Sequence, residues 1–170
     1  VCSSDLFLNS GSAVVHSSRM TVAESFVTES TGDTHFKDSD VEAQTHRVVG
    51  LETAEHSAIA VSAVTSIAEG AHFNLSGGTL LETDSFSNAG SSVVDGSRVA
   101  TAESFTTEVS GDTRAIASII EADSVNDEGS ISLMGSALVS RDTTRIAAGA
   151  SFSATDESAV ETRTFVSDGD

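Results

Sequence analysis

Carboxylates are the groups this chain supplies most generously for chemistry: 26 Asp and Glu stand against eight Lys and Arg, for a net charge of −18. Acids in such number can gather calcium, and five of them recur at one fixed offset: Glu24/Glu103, Glu29/Glu108, Asp33/Asp112, Glu42/Glu121 and Glu82/Glu161. Asp33 and Asp112 sit in Thr31-Gly32-Asp33-Thr34 and Ser110-Gly111-Asp112-Thr113. There the glycine permits a positive φ and the aspartate can bond its own turn backbone. These two are the calcium candidates. A calcium-binding solenoid of the nonapeptide type needs a dense Gly-Gly-x-Gly-x-Asp run, and Gly77-Gly78 stands without one.

The remaining chemistry thins out quickly. His16, His35, His46, His56 and His72 show no i, i+3 or i, i+4 pairing, and one offset later their places hold Asp95, Arg114, Val125, Gly135 and Ser151. A ligand set built into a repeat should occur twice, so no histidine metal site is expected. No phosphate loop or dinucleotide fingerprint is present, and Gly149-Ala150-Ser151-Phe152-Ser153 lacks the closing glycine of a nucleophile elbow. Polysaccharide cleavage wants clustered carboxylates, commonly beside aromatic sugar platforms; Trp and Tyr are absent and the acids are spread out. No catalytic residue and no resident cofactor is assigned, and no enzyme is expected.

The offset that orders the acids orders everything else. Residues 9–87 and 88–166 are two copies of one 79-residue text, with roughly two in five positions identical. Gly11 to Thr34 returns from Gly90, Ile67 to Phe73 from Ile146, and Leu80 to Phe86 from Ala159. Residues 1–8 form a non-native or frayed lead and 167–170 a tail. Self-similarity of this kind marks a tandem array. A finer outline recurs in Gly11–Phe26, His56–Phe73, Gly90–Phe105 and Gly135–Phe152. The stretches Lys37–Glu55 and Ile116–Met134 between them read as long interludes, which a solenoid can carry as loops on one face.

Composition selects strands. Thr, Val and Ile suit a half-buried pleated surface, Ser and Gly suit turns, and the apolar residues come singly or in pairs rather than at helical spacing. Ala58–Ala68, where a helix competes, leans to strand by its β-branched content. The expected fold is therefore all-β, a parallel β-helix of two 79-residue repeats with about four coils each, roughly 20 residues per coil and ~4.8 Å of rise. In Arg19–Glu29, Met20, Val22 and Phe26 share an inner face only if Glu24 is buried or the chain turns near Ala23–Ser25. A corner avoids burying the carboxylate. Phe26, Phe73, Phe105 and Phe152 are accordingly expected in the core just after a corner, with Gly70 and Gly149 at the matching bend of the second and fourth units. Arg19 and Arg98 are expected to pair with acids of a neighbouring coil.

Charge excludes several partners. A chain with Lys37 as its one lysine lacks the basic footprint of a nucleic-acid binder. No apolar stretch is long enough for a membrane helix, and a membrane barrel wants Trp and Tyr girdles, so no membrane insertion is expected. The acidity fits a solvated exterior that keeps a strand-rich rod soluble, a chain adapted to high salt, or calcium collection outside the cell. Cys2 is the single cysteine, so no intrachain disulfide is possible. Val1–Leu6, VCSSDL, resembles the translation of a common sequencing-adapter end; on that reading these residues are non-native and the chain is a metagenomic fragment, an internal slice of a longer array.

The Ser/Thr/Ala/Val/Gly texture and repeat length over Asn9–Val166 resemble the passenger repeats of secreted bacterial adhesins of the filamentous-haemagglutinin and autotransporter type, which implies a right-handed parallel β-helix. Ser57–Phe73 is locally similar to the head repeats of trimeric autotransporter adhesins, whose roll is left-handed. Both resemblances imply an extracellular or cell-surface location and attachment to an unknown surface or extracellular ligand; neither assigns a functional residue. The leading expectation is a structural or adhesive repeat segment, with end-to-end self-association of the rod. Alternatives are a β-helical polysaccharide-active enzyme or phage tail-spike fragment, and a calcium- or salt-dependent filament subunit.

Overall fold

Glycine, serine and phenylalanine fall into stacked columns in this protein, and the columns define the fold. A computed structural model describes residues 2–168. All regular structure is β. In chain order the strands are β1 (Cys2–Asn9), β2 (Ser12–His16), β3 (Arg19–Thr28), β4 (Asp33–Lys37), β5 (Asp40–Val48), β6 (Leu51–Glu55), β7 (Ala58–Ile67), β8 (His72–Ser76), β9 (Leu80–Asn88), β10 (Ser91–Asp95), β11 (Arg98–Thr107), β12 (Asp112–Ile116), β13 (Ile119–Asp127), β14 (Ser130–Met134), β15 (Ala137–Ile146), β16 (Ser151–Thr155) and β17 (Ala159–Ser167). The odd-numbered long strands form a nine-stranded sheet and the even-numbered short strands an eight-stranded one. Every pairing is parallel, so each coil lies on the next as a β-solenoid of about eight turns. Residues 2–8, which the sequence sets apart, lie in β1 against β3, with Cys2 opposite Met20; residues 1, 169 and 170 lie outside the described residues.

Register follows the period. Arg19, Asp40, Ala58, Leu80 and Arg98 share one rank, so successive coils take 21, 18, 22 and 18 residues and close on the 79-residue repeat. The expected corner is present within each long strand. Burial in β3 alternates through Met20 and Val22, then places Ala23 and Glu24 both outward before resuming at Phe26. The register shifts between Val22 and Ser25. Three consecutive residues, Ala23 to Ser25, stay outside the core, so Phe26 enters it on the same parity as Met20 and Val22 while Glu24 stays in water.

Phe26 stacks on Phe7 at 4.6 Å and Phe105 on Phe86 at 4.7 Å, two equivalent environments one repeat apart. Phe73 is fully buried too, but it and the half-buried Phe152 belong to β8 and β16 of the other sheet. The four short units are therefore not equivalent to one another, and only the 79-residue repeat is structural. The reason is volume. Each coil places one long-strand and one short-strand side chain across the core from each other, and a bulky one meets a small one: Phe26 with Thr34, Thr65 with Phe73, Phe86 with Ser92, Phe105 with Thr113. A close-packed interior takes no second ring directly opposite the first; where the coil of β3 and β4 does hold a second, Phe36, it sits two residues further along the short strand, 5.4 Å from Phe26. Burying each ring stabilises the rod by about 1.5–3 kcal/mol.

Two further expectations are corrected. Lys37–Glu55 and Ile116–Met134 are not loops: they hold β5 with β6 and β13 with β14, complete coils in the stack. The first escapes notice because its inward set mixes Val41 and Val48 with the small Ala43 and Ala54 and the polar His46 and Glu52. Gly32 and Gly111 do not take a positive φ. A Cβ at Gly111 would lie 2.1 Å from the Asn88 carbonyl oxygen, and one at Gly32 2.3 Å from that of Asn9. Glycine is needed there for close approach of adjacent coils. Gly70 and Gly149, with φ of 77° and 85°, do turn the chain, but between β7 and β8 and between β15 and β16 rather than at the long-strand bend.

The opposite corner carries a serine ladder. The amide of Ser18 donates to the hydroxyl of Ser39, that of Ser39 to Ser57, Ser57 to Thr79, Ser97 to Ser118, Ser118 to Ser136 and Ser136 to Ser158. Each of Ser39, Ser57, Ser118 and Ser136 donates its own hydroxyl to the carbonyl two residues back. Corner amides that lack a strand partner are thereby satisfied inside the rod.

Candidate functional surface

The bend in each long strand shapes the outer face of the nine-stranded sheet. A groove of about 710 Å³ runs there across β3 to β15, lined mainly by Ala, Thr, Ser and acidic residues, with no aromatic ring. One rank of outward residues follows it: Thr21, Glu42, Ala60, Glu82, Ala100, Glu121, Val139 and Glu161. Glutamate alternates with a smaller, mostly apolar residue, so a carboxylate stands at every second coil, roughly 9.6 Å apart at the usual strand spacing. The recurrent pairs Glu42/Glu121 and Glu82/Glu161 thus belong to one line.

Basic residues answer some of these acids. Arg98 Nη2 lies 2.6 Å from Glu121 Oε2, and Arg19 Nη2 3.1 Å from Asp40 Oδ2, so both recurrent arginines pair with the next coil as expected. Arg141 holds Asp123 at 3.0 Å. Such exposed pairs contribute at most about 1 kcal/mol each. Four carboxylates line the groove (Glu42, Glu82, Asp84 and Glu121) against two guanidiniums, Arg98 and Arg141.

The calcium candidates lie away from this groove and apart from each other. Asp33 and Asp112 open β4 and β12 in the eight-stranded sheet, two repeats of one position. Asp33 Oδ1 lies 2.9 Å from His35 Nε2, and Asp112 is exposed. Their backbones hold the stack: the amides of Asp33 and Asp112 donate to the carbonyls of Gly11 and Gly90, and their carbonyls accept from the Asn9 and Asn88 side chains. Among the described residues no group of three or more His, Cys, Asp or Glu side chains converges on a point where a metal ion could sit.

One polar constellation went unnoticed in the sequence. His46 and Glu52 are both buried, with Nε2 2.8 Å from Oε1, though that oxygen is not aligned with a ring N–H to form a hydrogen bond. The Thr28 hydroxyl donates to Glu52 Oε2 at 2.8 Å and takes the Thr34 hydroxyl at 2.9 Å, and Asn9 Nδ2 donates to Thr34 Oγ1 at 2.8 Å. The His46 ring sits edge-on between Phe26 and Phe73. The chain of bonds is sealed from solvent, so it anchors the core and offers no substrate access. Its signal was a paired change: one repeat later both positions become apolar together, Val125 and Ile131.

A second buried acid has no counterpart in the first repeat. Asp127 is fully buried where the first copy has Val48. Its Oδ1 accepts from the Gly129 amide, while Oδ2 has no partner. Burial pushes its carboxyl up to about 6, against the smaller lowering effect of the Gly129 bond.

No helix among the described residues is long and apolar enough to cross a membrane. No family model, no curated protein and no solved structure matches this chain.

Proposed function

We propose that this chain is a structural and adhesive repeat segment of a secreted or cell-surface protein, holding and presenting a lateral binding surface rather than catalysing a reaction. The observation that carries the reading is the recurrence of acids along one outward rank that the groove follows. The acids of this rank come from both copies at matching places, Glu42 with Glu121 inside the groove and Glu82 inside it with Glu161 beyond its end. An enzyme concentrates its chemistry in one cleft, because a reaction needs one converged set of groups. A scaffold repeats its surface, because avidity grows with the number of equivalent contacts. The likeness to adhesin passenger repeats gives the same reading, and so do the in-register coils, which lay matching residues of the two copies on the same ranks.

The test uses inert microspheres coated with the chain or with tandem fusions of its 79-residue repeat, flowed over cell-surface and matrix coatings. Retention under shear should rise steeply with the number of repeats. Retention that ignores repeat number, or release of new reducing ends from a panel of polysaccharides, would overturn the reading.

A further inference from the structure

We infer that the lateral groove binds an extended cationic peptide, one that presents a lysine or arginine at every third residue from a polyproline II backbone. The inference deepens the adhesive reading by naming the partner of its surface, and rests on that reading only for the surface being the one presented.

Three observations carry it. First, the strands beneath the groove are interior to the nine-stranded sheet, and their backbone groups are bonded to neighbours on both sides. A ligand there cannot add a strand; it must cross the strands and be read by its side chains. Polyproline II suits that mode because it needs no backbone partner. Second, the spacing fits. Glu42, Glu82, Glu121 and Glu161 stand two coils apart, roughly 9.6 Å at ~4.8 Å per coil. Polyproline II repeats one face every three residues at ~3.1 Å each, about 9.3 Å. A mismatch of about 0.3 Å per step lets several charges engage in turn. Third, the lining selects the class of cation. Ala60 and Ala100 between the acids of the groove, and Val139 further along the same rank, offer room for the aliphatic stem of a lysine or arginine. No aromatic ring lines the groove for a sugar to stack upon, which favours peptide over an amino-polysaccharide. The chain's own cations are largely engaged with its own acids, so a second copy supplies no such ligand.

The probe is a capped peptide of four Lys-Pro-Pro units, compared by fluorescence anisotropy at about 0.15 M salt with a peptide of identical composition whose lysines form one block. Two triple variants accompany the native chain. E42Q/E82Q/E161Q strips the rank and spares Glu121, which Arg98 already holds; E69Q/D95N/E157Q removes the same charge elsewhere. The periodic peptide should bind about tenfold more tightly than the block peptide, and lose about tenfold in the rank variant but under about threefold in the other. Equal binding of the two peptides, or equal loss in the two variants, would reduce the effect to general attraction and overturn the inference. Tighter, rank-dependent binding of a chitosan oligomer would overturn it in favour of an amino sugar. Shear retention that still rises with repeat number while the peptide fails to bind would leave the adhesive reading standing and remove the peptide alone.

Discussion

Each repeat buries a carboxylate that the other does not, and the two are handled in opposite ways. In the first copy Glu52 faces the His46 ring at 2.8 Å and accepts the Thr28 hydroxyl. In the second copy the same two places hold Val125 and Ile131, and the acid appears instead at Asp127, with one bond from Gly129 and one oxygen left over. The shared part of the network survives in both: Asn88 still donates to Thr113, and Thr107 still meets Thr113 at 3.0 Å. The backbone is the same, so the layer accepts either a polar pair or an apolar pair of similar bulk. What it does not absorb freely is half of a pair.

The largest expected effect breaks the paired carboxylate. H46V alone leaves Glu52 buried without its ring partner and should destabilise the rod by about 3–5 kcal/mol. The double variant H46V/E52I copies the second repeat and should return to native stability or exceed it by about 1–4 kcal/mol. Urea unfolding of the native chain, both single variants and the double gives the coupling directly. A double variant as weak as the single would show that the two copies are not interchangeable in this layer.

The lone carboxylate gives the next largest effect, and its sign is set by pH. Folded Asp127 keeps its proton up to about 6, while the unfolded chain releases it near 3.8. Between those values the folded state binds more protons, so this group's contribution falls as pH rises and stays lost above about 6. D127N, which installs the residue found in the same column at Asn88, removes that loss. Its advantage over the native chain should be near zero below pH 3.8 and grow to about 3 kcal/mol at pH 8. Thermal unfolding of both chains across that range measures it, and a pH-independent difference would refute the assignment.

Much of this was legible beforehand. The period, the parallel stack, the bend at Ala23–Ser25 and the interior place of Phe26 and Phe105 all follow from one repeated text and the cost of burying Glu24. Glu52 taken alone was not legible, because a lone acid among 26 looks like any other; only its joint replacement with His46 by Ile131 and Val125 one repeat later marks it. Nor was the true extent of Lys37–Glu55, since a coil with His and Glu turned inward does not look apolar.

The smallest effect concerns hydroxyls that both copies share. Thr65 and Thr144 occupy one position, both fully buried, and neither hydroxyl has a partner. Each faces a phenylalanine, Phe73 or Phe152, where the small side is required but the oxygen is not. T65V and T144V keep the shape and remove an unmatched polar atom, so each should raise stability by about 1 kcal/mol. The gains should add, because the two sites are four coils apart. A loss in either variant would point to a partner for that hydroxyl.

The amino-acid order determined what is local and repeated. Matching residues 79 positions apart demand matching surroundings, and parallel coils supply them by laying like on like, so period, strand character and bend are written along the chain. The tertiary structure decided what meets across the core. Whether a layer is filled by a ring from the long strand, a ring from the short one or a His–Glu pair depends on the space left by the opposite wall. That wall lies six to eight residues on in sequence and is brought across the core only when the chain turns from one sheet to the other.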